Sequence, residues 1–98
     1  MMDVSIATEG DLIRVAVSGS LNTNTSRQLE EALDPVLGTA PNLVFDLSGL
    51  DYISSAGLRV LMVAYKRQGG RGVVIEHPND EVREVFDITG FSTLFEIR

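Results

Sequence analysis

The sequence contains no cysteine and no tryptophan, and His77 is its single histidine. Without cysteine, the chain cannot form a disulfide framework, a thiolate zinc site or a cysteine nucleophile. A single histidine disfavours a histidine-based metal cluster and a Ser-His-Asp triad. Because most enzyme chemistry is disfavoured in this way, we expect a non-enzymatic protein with no metal and no other cofactor.

Basic residues are outnumbered, and long hydrophobic runs are missing. Eight lysines and arginines stand against fourteen aspartates and glutamates, which gives a formal net charge of −6. This charge disfavours nucleic acid as a direct partner, because phosphate binding needs a positive surface. No apolar run approaches the ~20 residues of a membrane-spanning helix, and the first residues lack the basic and apolar regions of a secretion signal. We therefore expect a cytoplasmic protein with no membrane insertion.

The residues that are present suffice for one compact core. The chain has 98 residues, and 44% of them are hydrophobic. This length is typical of one domain, and the composition excludes a disordered tail, which needs low hydrophobicity and high charge. We assign residues 1–98 to a single domain.

Hydrophobic periodicity predicts alternating strands and helices. The predicted strands cover 4–7, 12–18, 42–47, 73–76 and 94–97, and the predicted helices run from Thr25 to about Asp34, from about Ser55 to Gln68 and from a cap at 78–80 to Thr89. Pro35 sets the early end of the first helix, because proline clashes with the preceding turn. The apolar runs at 42–47 and 73–76 are typical of strands covered on both faces. The order β-β-α-β-α-β-α-β predicts an α/β fold, a mixed β-sheet with helices packed against it.

A serine pair, Ser54 and Ser55, opens the second helix after a predicted loop over 48–53. The backbone N–H groups at a helix N-terminus are unpaired and carry partial positive charge. A serine there can cap the helix, or it can accept a covalent phosphate whose charge the helix end offsets. The pair permits both, because one serine can cap while the other faces outward.

Two further residues of this helix start have two interpretations each. Glycine inside a helix costs ~1 kcal/mol relative to alanine, so Gly57 indicates a close approach, by the neighbouring strand or by the backbone of a partner. Arg59 is either a solvated arginine on the helix face or a group that pairs with a bound nucleotide, a phosphoserine or a partner carboxylate. Both alternatives stay open on the sequence alone.

A resemblance to a known family covers nearly the whole chain. The segment 46–66, DLSGLDYISSAGLRVLMVAYK, is similar to the signature of STAS domains, specifically of the bacterial anti-sigma factor antagonists. The segment 19–22 resembles the family's turn before the first helix, and 85–91 resembles its late helix that ends in a glycine and an aromatic residue. The resemblance implies a single-domain STAS-like fold and a role in signal transduction and transcription regulation.

The same resemblance implies a partner-switching mechanism. In such proteins an ATP-dependent switch kinase phosphorylates the serine two residues before the Gly-Leu pair, which is Ser55 in this chain. The unphosphorylated form is expected to bind an anti-sigma factor or serine/threonine switch kinase, and a phosphoserine phosphatase is expected to reset it. ATP would be a co-substrate of the kinase. The partner-binding residues that the resemblance implies are Asn22, Thr23, Ser54, Ser55, Ala56, Gly57, Leu58 and Arg59.

The sequence departs from the family at Asn22, Ser54, Ala56 and Arg59, near the expected acceptor, and two of these departures remove a carboxylate. Asn22 and Ser54 stand where many relatives carry aspartate, so the chain has two fewer carboxylates there. We expect a phosphate at Ser55 to be less costly as a result. The alternative function is a constitutive STAS-like scaffold or ligand-sensing subunit, for example of a lipid or anion transport system. The helix start from Ser54 to Leu58 favours the switch.

Overall fold

The computed structural model describes residues 2–98 and confirms the predicted order of elements. The strands are β1 (Met2–Glu9), β2 (Leu12–Leu21), β3 (Asn42–Ile53), β4 (Val73–Glu76) and β5 (Glu96–Ile97). The helices are α1 (Ser26–Leu33), α2 (Ser55–Arg67) and α3 (Asp80–Thr89), and a single 3-10 turn covers Phe91–Thr93. Helix α1 ends before Asp34 and Pro35, as predicted. Within residues 2–98 there is no helix with the length and apolar character needed to cross a membrane.

The five strands form one mixed sheet in the order β1-β2-β3-β4-β5. Strand β1 pairs with β2 in an antiparallel hairpin whose turn contains Gly10, at a φ of 58° that suits glycine. The other neighbouring strands pair in parallel. Helices therefore connect β2 to β3 and β3 to β4, as parallel strands require.

One face of the sheet carries the core. Alternate residues of β2 and β3 are buried, and they belong to one hydrophobic cluster with the apolar sides of all three helices. The strand residues include Ile13, Val15, Val17, Leu43, Phe45 and Leu47, and the helical residues include Leu29, Leu33, Leu58, Leu61, Val82 and Phe86. The helices of the described chain thus cover the same face.

The opposite face is open, so the prediction that the central strands are covered on both faces is wrong. Arg14 Nη1 lies 2.8 Å from Glu76 Oε1 across this face. These two side chains line a shallow cleft together with Val44 and Val74. Val44 is only 8% exposed, and the pairing of β2 with β3 places Arg14 beside it.

Strand β3 is longer than predicted, and the loop predicted over 48–53 is wrong. The chain stays paired with β2 to the pair Leu21↔Ile53, through two shifts of register. Gly49 makes this approach possible, since a Cβ there would lie 2.8 Å from the Ser18 Cβ. Near the first shift, the Ser48 backbone N–H donates to Asp46 Oδ1 at 3.0 Å, and this hydrogen bond lowers the pKa of Asp46. The extended strand carries the chain directly to the start of α2.

Asn79 fixes α3 against this long strand through both ends of its side-chain amide. Its Oδ1 accepts a hydrogen bond from the Val82 backbone N–H at 2.8 Å and so caps α3. Its Nδ2 donates to the Leu50 backbone oxygen at 3.1 Å. The cap of the helix and its attachment to β3 therefore depend on one residue.

We predict that Asn79→Ala lowers the free energy of unfolding by about 1–2 kcal/mol, because it removes a cap and leaves the Leu50 oxygen without its donor. Urea titration measures the change. Asn79→Asp keeps the cap acceptor and loses the donor, so its stability should lie between alanine and wild type. Asn24→Ala, at an exposed loop asparagine, is the control and should stay within about 0.5 kcal/mol. Equal effects at 79 and 24 would contradict the assignment.

Candidate functional site

The two turns that the sequence singled out lie side by side at one end of the sheet. The Ser54 backbone N–H donates to the Leu21 backbone oxygen at 2.8 Å, which joins the start of α2 to the end of β2. Asn22 follows Leu21 directly, so the turn after β2 borders the serine pair. We call this region the helix-start surface; its members are Asn22, Thr23, Ser54, Ser55, Ala56 and Arg59.

The two serines have different roles in the structure. Ser54 has an extended backbone, with φ −96° and ψ 174°, and its side chain accepts a hydrogen bond from the Gly57 backbone N–H at 3.2 Å. It is the N-cap of α2. Ser55 is the first residue of the helix and is exposed. One serine caps while the other faces outward, which is the combination that the pair permits.

The Asn22 side chain shapes the neighbouring turn. Its Oδ1 accepts hydrogen bonds from the backbone N–H groups of Asn24 and Thr25, at 2.9 and 3.0 Å. The Thr25 hydroxyl accepts from the Asn22 backbone N–H and donates to the Ser20 backbone oxygen, both at 2.8 Å. A carboxylate oxygen at position 22 would accept the same two bonds, so the amide holds the turn without adding a negative charge beside Ser55.

The sequence analysis did not predict the hydrogen bond between Thr25 and Ser20 in this turn. Thr25 occupies the N-cap position of α1, yet its side chain makes no capping hydrogen bond to that helix. The spacing of Asn22 and Thr25 is a signal for such a turn, because asparagine and threonine side chains bond to nearby backbone groups. The partner at Ser20 lies five residues back and depends on the geometry at the end of β2.

Gly57 and Leu58, which the resemblance placed among the partner-binding residues, are buried in the core. A Cβ at Gly57 would lie 2.6 Å from Leu21 Cγ and 3.1 Å from Ile53 Cγ1. Leu21 is fully buried, and Leu58 is 6% exposed. The glycine is required because α2 crosses its own sheet closely. The packing alternative for Gly57 is the one that the structure supports.

Arg59 lies on the outer side of α2, one turn beyond Ser55. Residues four apart share a helix face, so the Arg59 guanidinium and the Ser55 hydroxyl project from the same side. Arg59 is exposed, and it belongs to none of the ion pairs found among residues 2–98. The helix-start surface thus holds an outward serine hydroxyl, a helix N-terminus and a basic side chain within reach of each other.

The sequence and the arrangement of elements resemble those of several known proteins. Residues 4–96 match a family model described as Mlab, STAS domain. A Bordetella bronchiseptica protein named as the anti-sigma factor antagonist BtrV is 39% identical over 92 residues, which cover 91% of this chain and 78% of that protein. The crystal structure of an anti-sigma factor antagonist from Mycobacterium paratuberculosis has a TM-score of 0.90 and 26% identity, over 99% of this chain and 85% of that chain. The Bacillus cell fate determinant SpoIIAA in its phosphorylated form has a TM-score of 0.76 and 12% identity, over 98% and 91% of the two chains, and shares the fold.

The serine pair provides a matched test of the two roles. Ser54→Ala should lower the free energy of unfolding by about 1 kcal/mol, because the Gly57 N–H loses its acceptor. Ser55→Ala should leave it within about 0.5 kcal/mol of wild type, because the side chain is exposed. Urea titration of both variants measures the difference. A larger loss at 55 than at 54 would show that the cap is assigned to the wrong serine.

Gly57→Ala should destabilise the fold by about 1–2 kcal/mol. The 2.6 Å approach to Leu21 Cγ places the overpacking cost in the upper part of the usual range, at about 2–3 kcal/mol, and the gain in helix propensity offsets about 1 kcal/mol of it. Arg59→Ala is the control in the same helix, at an exposed position where the change should stay within about 0.5 kcal/mol. Thermal or urea unfolding measures both. An alanine variant at position 57 as stable as wild type would refute the close packing against Leu21.

Proposed function

The chain belongs to the STAS domain family, and from this premise we propose that it is an anti-sigma factor antagonist whose binding is switched by phosphorylation of Ser55. The observation that carries the proposal is the division of the serine pair. Ser54 caps α2, and Ser55 stands exposed as the first helical residue. A hydroxyl in that position is open to a kinase and has no structural task in the fold.

The unphosphorylated helix-start surface suits a protein partner. Thr23, Ser55 and Arg59 are exposed, and Asn22 and Ala56 are half-buried beside them. Small side chains at 55 and 56 leave the helix end accessible to a partner's backbone or carboxylate. We propose that an anti-sigma factor, or a kinase that also acts as one, covers this surface and releases its sigma factor when it does so.

Phosphorylation of Ser55 would change this surface without disturbing the fold. The phosphate adds about 1.5–2 negative charges at neutral pH. The N-terminus of α2 attracts that charge, and the Arg59 guanidinium one turn away is a second source of attraction. In a complex the same phosphate would be removed from water against a partner that fits a hydroxyl, which costs several kcal/mol when no partner charge pairs with it. Binding is therefore lost while the domain stays folded.

Several findings support this function. The Bordetella bronchiseptica relative is named as an anti-sigma factor antagonist, and SpoIIAA, which shares the fold, has been solved in a phosphorylated form. The kinase supplies ATP chemistry and a phosphatase reverses it, so the chain itself needs no cofactor and no catalytic residue. We propose that it acts in the cytoplasm, where sigma factors bind RNA polymerase.

The test begins with incubation of the purified chain with lysate of its source cells and ATP. We expect a gain of one phosphate in the intact mass, and tandem mass spectrometry should place it on Ser55. Phosphate on Ser54 alone would refute the assigned register. No phosphorylation, together with unchanged partner binding, would favour the constitutive scaffold.

The Ser55→Asp variant tests the second half of the mechanism. It should melt within a few degrees of wild type, because an exposed negative group at a helix N-terminus typically stabilises by ~0.3–1 kcal/mol. It should no longer retain the anti-sigma factor in an affinity experiment, whereas Ser55→Ala should still bind. A variant that loses its circular dichroism spectrum would show that Ser55 is structural.

A further inference from the structure

A groove lies next to the helix-start surface, between the end of β3 and α3. It has a volume of about 190 Å³ and is lined by Asp51, Tyr52, Ile53, Glu81, Val82 and Val85. Ile53 and Val82 are buried, at 4% and 1% exposure, whereas Tyr52 is 53% exposed and Val85 is half-buried. The groove therefore has an apolar floor and an apolar rim that reaches solvent.

The two sides of this groove are joined at one end, and the groove side of α3 carries further exposed residues. The Asn79 side chain ties the start of α3 to the Leu50 backbone oxygen, which sets the spacing between the helix and β3. Glu81, Val85 and Ile88 follow each other at helical spacing of four and three, so they lie along one side of α3. Ile88 is 76% exposed. Scattered apolar residues on a surface are ordinary, but Tyr52 and Val85 line one groove and Ile88 follows Val85 on the same side of α3, an arrangement that is typical of an interaction site.

The charges around the groove have one sign. Asp51 and Glu81 line it, and Glu84 lies next along α3, whereas the lining contains no lysine or arginine. On the sequence alone these helical carboxylates are explained as a solvated face that matches the helix dipole. These carboxylates also lie beside exposed apolar side chains. The groove would therefore complement a partner segment in which an apolar side chain is flanked by lysine or arginine. The formal charge of −6 makes a second copy of the chain a poor occupant, because like charges repel.

The groove is continuous with the helix-start surface. Its residues Asp51, Tyr52 and Ile53 lead directly into Ser54, and the Ile53 side chain reaches Gly57 in the first turn of α2. We propose that a basic amphipathic segment of the anti-sigma partner docks in this groove while the rest of the partner covers Ser55. The proposal rests on the proposed function, because it assigns a second contact to the same partner.

The contact at the groove would have a different role from the contact at Ser55. Phosphorylation at Ser55 decides whether the partner binds, and complementary charge at the groove selects which partner binds and accelerates the encounter. A partner with an acidic or wholly polar segment would leave the apolar rim uncovered and would meet repulsion from Asp51 and Glu81. The groove therefore discriminates between anti-sigma factors that all fit an outward serine.

The experiment compares two charge reversals of equal size. Glu81→Lys changes the groove, and Glu30→Lys changes an exposed position on α1. The probe is the purified anti-sigma factor that the wild-type chain retains in the affinity experiment, and its Kd is measured by calorimetry at low and high salt. We expect Glu81→Lys to weaken binding at least tenfold and to flatten the salt dependence, and Glu30→Lys to change it less than twofold. Tyr52→Ala should weaken binding about tenfold at both salt concentrations, since it removes apolar contact.

Each outcome decides between the groove and the switch. Circular dichroism and urea titration first establish that the variants are folded, and hydrogen exchange on the wild-type complex should show protection over 80–88. Wild-type affinity of Glu81→Lys and Tyr52→Ala, with Ser55→Asp unable to bind, would overturn the groove and leave the proposed function standing. Loss of binding in the groove variants, with Ser55→Asp still bound, would support the groove and overturn the switch. If no anti-sigma factor is retained by the wild type, both proposals are overturned.

Discussion

The site depends on the contact between Leu21 and the first turn of α2. The Leu21 backbone oxygen accepts the Ser54 N–H, and its side chain fills the space where a Cβ of Gly57 would lie. Leu21 therefore fixes where α2 begins relative to the end of β2, and it also limits the size of the side chain at position 57 in the first turn of α2. Because Ser54 is held by its backbone, its hydroxyl is free to cap the helix, and the next residue, Ser55, is left to face solvent.

The order of elements was predictable because it depends on local patterns. Helical spacing and the helix-ending effect of Pro35 are properties of residues that are close in sequence. In the structure, α1 forms with its leucines buried and ends before Pro35. The sheet was less predictable, since a run such as 42–47 does not reveal what lies above each face. On the open face, Arg14 lies beside Val44 in the neighbouring strand and pairs with Glu76, which is 62 residues away along the chain. The length of β3 also depends on Gly49 and Ser18, which meet only after the sheet has formed.

The helix-start surface shows a similar division. The serine pair, and the two tasks that it permits, could be read from the sequence, because capping needs only a hydroxyl before a helix. The role of Gly57 could not be decided, since the sequence does not show that Leu21 lies beneath it. The groove could not be predicted from the sequence for the same reason. Its two sides come from β3 and α3, and the exposure of Tyr52 and Ile88 is known only when both are in place.

The cap on Ser54 has a consequence for the speed of the response. In the proposed switch, a phosphate on Ser55 would leave the Ser54 hydroxyl bonded to the Gly57 backbone N–H, so no helical turn would have to melt or re-form. Slow steps such as local unfolding would then be absent from the proposed cycle. The delay between a signal and its effect would then depend on the turnover of the proposed kinase and phosphatase and on diffusion to the partner.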